Sequence, residues 1–251
     1  MNEEQPEGPP RQPAPHLPRR TGAPAPPVRA IDLLLVLAIT AAALLLVGTQ
    51  ISAPRLTTEF VIAMLAIQSA IPIAAIYLVI IRWRGLSWSA LGFRPAPRHW
   101  YGYAVLIALL TLPAVALVNL LTQGLVGVPF RNPQLDLLAP DGFTWRGLIG
   151  MIVMVGIVAP IVEEVVFRGL LYGWLRRHIG VAAGAVVSAV VFAAVHGIPV
   201  LLPALAVTGL VLAIVYERSG SLWPPIIVHG IFNTMMTVAL YAALAADLSL
   251  D

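Results

Sequence analysis

The stretch Glu163-Glu164-Val165-Val166-Phe167-Arg168-Gly169 places two carboxylates and a guanidinium inside an apolar run from Arg146 to Tyr172. A charge at the centre of a bilayer costs about 3 kcal/mol or more on insertion scales, so ionisable residues within a span face the bundle interior or a wet cavity and serve a function there. The run is long enough to cross roughly 30 Å of hydrocarbon, which takes about 20 residues. It is read as a spanning helix that carries the chemistry of the chain.

The rest of the composition agrees. Of the 251 residues 59% are hydrophobic and 11% charged, against roughly 25% charged in soluble domains, and the mean hydropathy is +0.88. The expected fold is therefore all-α, a polytopic transmembrane helix bundle. Apolar runs at Ile31–Gly48, Glu59–Ile81, Tyr101–Gln123, Arg146–Tyr172, Ile179–Ile198, Val200–Tyr216 and Leu222–Ala246 predict about seven spans, with six to about eight as the range. The absence of cysteine excludes disulfides, thiolate metal sites and a cysteine nucleophile. A net charge of +3 is too small and too dispersed for a nucleic-acid partner.

Residues 1–29 are rich in proline, lack apolar periodicity and read as a disordered tail. Residues 30–143 are expected to form N-terminal helices and loops, and residues 144–246 the membrane core that, by the resemblance given below, is catalytic. All 15 basic residues are arginine, which with the abundance of Ala, Gly and Pro points to a GC-rich bacterial genome. The clusters Arg82, Arg84, Arg94, Arg98 and Arg176, Arg177 predict cytoplasmic loops and a cytoplasmic N-terminus in a bacterial plasma membrane, with Asp247 and Asp251 outside.

Glu164 and Arg168 are four apart, so on a helix they stack as an ion pair in the favourable order. Glu163, turned about 100° from Glu164, is left to face the site. Desolvation makes a carboxylate a stronger base, and Glu163 is the expected general base. His229 and Asn233, again four apart, predict paired hydrogen-bond donors for an oxyanion. His196 would orient water or return a proton beside Glu163. Depth raises a conflict. Counted at about 1.5 Å per residue from the cytoplasmic ends, Glu164 lies about 12 Å from Tyr172 and His229 about 10 Å from Leu222, but His196 about 25 Å from Ile179. The conflict vanishes if residues 179–186 lie near the interface and residues 197–203 are buried backbone.

Glu-Glu-x-x-x-Arg at Glu163, Glu164 and Arg168, Phe-x-x-x-His at Phe192 and His196, and His-x-x-x-Asn at His229 and Asn233 occur in this order on successive helices. Together with Leu91-Gly92-Phe93-Arg94 upstream, the pattern resembles the CPBP family of CAAX proteases and bacteriocin-processing enzymes, to which the eukaryotic Ras-converting prenyl-protein endopeptidase belongs. The resemblance implies an intramembrane endopeptidase with a glutamate/histidine-activated water and a His/Asn oxyanion hole, acting on a membrane-associated peptide or protein. The family is commonly labelled a metalloprotease. There is no His-Glu-x-x-His helix here, and a Zn²⁺ ion, if bound, would take Glu163, His196 and His229. A proton-coupled transporter using the same carboxylates, or a non-catalytic scaffold or immunity factor on the same fold, are the competing functions.

Overall fold

The computed structural model describes residues 28–50, 56–127 and 137–246. The expected disordered tail, apart from Val28 and Arg29, and the acidic C-terminal pair Asp247 and Asp251 lie outside the described residues. The helices are α1 (Ala30–Gln50), α2 (Thr58–Ile76, prolonged by a π-helical turn Tyr77–Trp83), α3 (His99–Val126), α4 (Trp145–Ile179), α5 (Val181–Ala194), α6 (Leu202–Ser219) and α7 (Trp223–Ala245). Six are long and apolar enough to cross a membrane, counting Pro199–Leu201 with α6. The seventh, α5, has 14 residues, about 21 Å, and falls short of the roughly 30 Å core. The all-α membrane bundle expected from the sequence is the observed fold, with six candidate spans and one shorter apolar helix.

α4 begins at Thr144, whose side chain accepts the Gly147 N–H, and ends at Gly180, whose φ of +84° lets the chain reverse into α5. The fourth span, expected to stop at Tyr172, continues through Ile179. That extension of seven residues, about 10 Å, removes most of the depth conflict. Arg168 and Phe192 are each twelve positions from Gly180, on the two arms of one hairpin, and the Arg168 guanidinium lies 4.7 Å from the Phe192 ring centroid. The start of α7 is level with Gly169, because a Cβ there would lie 3.7 Å from Leu222 Cδ1. The hairpin tip therefore stands about 15 Å beyond the start of α7. Residues 179–186 belong to that projecting tip.

Small residues set the close approaches. A Cβ at Gly184 would come within 2.9 Å of the Arg176 backbone nitrogen, and one at Gly209 within 3.0 Å of Ala189 Cα, so α5 lies directly on α4 and α6. The segment Trp88–Arg94 closes the arginine-rich end. After a 3₁₀ turn Trp88–Leu91, the Gly92 carbonyl accepts the Leu222 N–H at 2.9 Å. Arg94 Nε donates to the Gly220 carbonyl at 2.5 Å, and Ser221 Oγ donates to the Arg94 carbonyl at 2.5 Å. This segment thereby fixes the position from which α7, the helix carrying His229 and Asn233, enters the bundle.

Candidate functional site

The site is built where α4 and α7 run antiparallel with their backbones in near contact: a Cβ at Gly230 would lie 2.8 Å from the Gly156 carbonyl oxygen. Two π-helical stretches, Ile152–Val158 and Val165–Tyr172, flank the short α-helical piece Ala159–Glu164 that carries both glutamates. In the first stretch the hydrogen bonds run i→i−5, as the Ala159 N–H to Met154 carbonyl bond shows. The next donor in that register is residue 160, a proline with no N–H, so the Val155 carbonyl loses its partner within the helix. Asn233 supplies one: its Nδ2 donates to the Val155 carbonyl at 3.0 Å. A proline inside a span is tolerated when a neighbouring helix satisfies the freed carbonyl, and here α7 does so.

Glu164 and Arg168 form the expected i, i+4 pair, Nη1 to Oε1 at 2.9 Å, with both side chains wholly buried. Arg168 also donates Nη2 to the Gly209 carbonyl of α6 at 3.0 Å and lies over the Phe192 ring of α5. Glu164 Oε1 accepts a second bond from His229 Nδ1 at 3.0 Å. One carboxylate oxygen thus ties α4 to α7, while its arginine ties α4 to α5 and α6. Glu164 Oε2 and Arg168 Nε have no hydrogen-bond partner among the described residues.

Glu163 behaves differently. Its side chain is 28% exposed, and its Oε2 lies 3.8 Å from His229 Nε2, beyond hydrogen-bond length. That oxygen is itself shielded from solvent and has no hydrogen-bond partner among the described residues. A carboxylate is an acceptor only, so His229 Nδ1 carries the proton in the bond to Glu164. The neutral ring then presents an unprotonated Nε2 toward Glu163, and Nε2 becomes a donor only when the ring is an imidazolium.

His196 is half-buried at the end of α5, with Nδ1 2.7 Å from the Phe192 carbonyl. By the same reasoning Nδ1 is its donor, and in the neutral ring Nε2 is the acceptor nitrogen. Its ring meets Phe192 edge-on at 4.9 Å, and Phe192 also meets His229 edge-on at 5.8 Å. The structure therefore brings Glu163, Glu164, Arg168 and His229 into one polar cluster and places Asn233 one turn along α7. His196 joins through the shared phenyl ring. Phe192, the Gly209 carbonyl and the Val155 carbonyl had been given no role from the sequence. Pro160, five residues after Val155, was the available signal for the last of these.

Glu163, His196 and His229 do not fit as metal ligands: among the described residues no three His, Asp or Glu side chains are grouped to hold a metal ion. The conditional Zn²⁺ set of Glu163, His196 and His229 is thus not grouped as a metal site among the described residues.

Residues 145–235, which contain every residue of this cluster, match the family described as type II CAAX prenyl endopeptidase Rce1-like. The chain is also similar to a putative membrane peptidase, YdiL, of Bacillus subtilis, with 32% identity over 88 residues. That match covers 35% of this chain and 36% of the relative, so the chain spans about a third of the relative's length. No solved structure matches the chain. The three motifs fold around one buried ion pair and the matched segment coincides with them, which supports membership of residues 145–235 of this integral membrane protein in the CPBP family.

Proposed function

We propose that this protein is an intramembrane endopeptidase in which Glu163 is the general base. The observation that carries the reading is the Glu163 oxygen shielded from solvent, without a hydrogen-bond partner, 3.8 Å from His229 Nε2. A water bonded to both groups would span that separation and be held for proton removal.

The charges support this assignment. Two carboxylates, Glu163 and Glu164, face one guanidinium, so in a low-dielectric interior the cluster is neutral when His229 is an imidazolium. Glu163 takes a proton from water and the oxygen attacks the scissile carbonyl carbon. The negative charge then moves from Glu163 to the carbonyl oxygen with no change in the total. The Nε2–H of a protonated His229 is positioned to stabilise both its origin and its destination. Asn233, with one amide hydrogen held by Val155, offers the other as a second donor. Such a donor contributes about 3 kcal/mol to the barrier. As the C–N bond breaks, the leaving nitrogen recovers the proton from Glu163, or through His196, whose Nε2 makes no hydrogen bond among the described residues. Glu164 and Arg168 act through His229 by fixing its tautomer and ring plane, and are positioning residues.

The substrate class that fits is a membrane-associated peptide or the C-terminal tail of a membrane-associated protein, presented from the arginine-rich end of the bundle. By the positive-inside rule that end is cytoplasmic, which places the N-terminus inside, and the arginine-only basic composition suits a bacterial plasma membrane. The deciding experiment is Glu163→Gln in vesicle-reconstituted protein, with the membrane peptides that accumulate uncut identified by mass spectrometry. Loss of cleavage with substrate still captured is expected. Full cleavage by the variant would falsify the assignment. Cleavage by neither protein, with a pH-coupled flux lost only in the variant, would indicate a transporter, and an unchanged biological effect a scaffold.

A further inference from the structure

A second polar site lies at the tip of the α4–α5 hairpin, where a cavity of about 560 Å³ is lined by Val28, Arg29, Ala30, Arg84, Arg177 and His178. The volume is within the range of small-ligand sites, roughly 300–1,000 Å³. From Glu163 to Arg177 is fourteen residues of helix, about 21 Å, so this cavity is separate from the candidate catalytic cluster. Its lining is unusual for the chain. Three guanidinium groups converge from the start of α1, the end of α2 and the tip of α4, and that of Arg84 pairs with Asp32.

Asp32 is 1% exposed and organises the cluster: its Oδ2 accepts Arg84 Nε at 3.0 Å and the Arg29 backbone N–H at 3.0 Å. Because Arg84 engages it through the inner nitrogen of its fork, the two terminal nitrogens remain for another acceptor. His178 stacks on Trp174 at 4.2 Å with Nδ1 2.8 Å from the Trp174 carbonyl, which directs Nε2 outward. Immediately along α1 from the cavity, Ile31 is 54% and Leu34 60% exposed, an apolar strip on the outside of the bundle.

We infer that this cavity binds the phosphate diester of an anionic phospholipid, with Arg29, Arg84 and Arg177 on the headgroup and the acyl chains along Ile31 and Leu34. Guanidinium groups lining a cavity match a phosphodiester in charge, and arginine forks match phosphate oxygens in geometry. A basic cavity between helices beside lipid-facing side chains provides both halves of a lipid site. The same contacts could recognise a free phosphate ester, so the test separates the two sources.

Full-length protein in detergent is titrated with phosphatidylglycerol, phosphatidylcholine, inorganic phosphate or glycerol 3-phosphate, and bound species are counted by native mass spectrometry. Phosphatidylglycerol is expected to bind at least about tenfold more tightly than phosphatidylcholine, and the phosphates not to displace it. Arg29→Gln should weaken phosphatidylglycerol binding about fivefold. The pair Asp32→Asn with Arg84→Gln leaves the net charge unchanged yet removes a fork, and should weaken it about tenfold. Arg98→Gln, an exposed arginine away from the cavity, should leave it unchanged. Equal binding of the two lipids, displacement by either phosphate, or a loss with Arg98→Gln as large as with Arg29→Gln would overturn the proposal. Should the Asp32/Arg84 pair fail to fold, Arg29→Gln against Arg98→Gln still decides.

Discussion

Two adjacent glutamates of α4 occupy opposite physical situations. Glu164 is wholly buried and shares one oxygen between two hydrogen-bond donors, Arg168 and His229. Glu163, one residue earlier, is 28% exposed and keeps an oxygen without a hydrogen-bond partner 3.8 Å from the far nitrogen of that histidine. Under the proposed function, that difference is what would hold a reactive carboxylate in place inside a membrane. The inner acid is neutralised and holds the helices together; the outer acid borrows that rigidity and remains open to react. The dividing group is the His229 ring, bonded on one side and open on the other.

The largest effect should come from breaking the inner side. Arg168→Met leaves Glu164 as a buried charge with only His229 beside it and should destabilise the protein by about 3–5 kcal/mol, read as a large fall in the thermal midpoint in detergent. Combining it with Glu164→Gln removes both charges and should restore most of that loss, since an apolar replacement of a buried pair is often neutral. Cleavage should not return with stability, because the histidine has lost its carboxylate. Recovery of activity in the double variant would show that the inner pair is only a pillar.

On the outer side, Glu163→Gln should lower cleavage by about 10²–10⁴ while shifting the thermal midpoint little. A pair of glutamine variants at 163 and 164 that lost stability equally would erase the distinction between the two faces.

Much of this contrast was legible in the sequence, and the reasons differ by residue. The i, i+4 spacings gave the Glu164–Arg168 pair and set Glu163 apart, because helical periodicity fixes which side chains share a face. What spacing does not carry is the partner across a helix interface. The bond from Asn233 to Val155 depends on Pro160 falling in a π-helical register, and the change of register is a tertiary outcome of α4 meeting α7 at Gly156 and Gly230. The span boundary was misplaced at Tyr172 for a related reason. Tyr172 and Arg176 bond to Glu217 of α6 at 2.9 and 2.8 Å, which lets a polar helical tip extend well beyond the apolar run.

Asn233 lies between the two faces, and its two roles can be separated. Asn233→Ala leaves the Val155 carbonyl without its donor and should cost about 1–3 kcal/mol of stability as well as a catalytic donor. Adding Pro160→Ala returns an N–H in the register that reaches Val155 and should recover stability without recovering cleavage. If cleavage returns as well, Asn233 is a structural bridge and the oxyanion role fails.

The smallest difference is carried by two glycines. Gly92 supports the inner side, where the Trp88–Arg94 segment positions α7. Its φ is +107° and a Cβ there would come within 2.8 Å of the Tyr216 hydroxyl, so Gly92→Ala combines backbone strain with a clash and should cost about 2–3 kcal/mol. Gly197 follows His196 on the open side; its φ is +68°, but nothing lies within 4 Å of its would-be Cβ. Gly197→Ala should therefore carry strain alone, about 1 kcal/mol. Cleavage should follow the same order, because a displaced Gly92 carbonyl shifts the Leu222 N–H it accepts and, seven residues later, the His229 ring. If Gly197→Ala proved the more damaging to cleavage at unchanged stability, His196 would have to be held more tightly against the reacting groups than its bond to the Phe192 carbonyl implies.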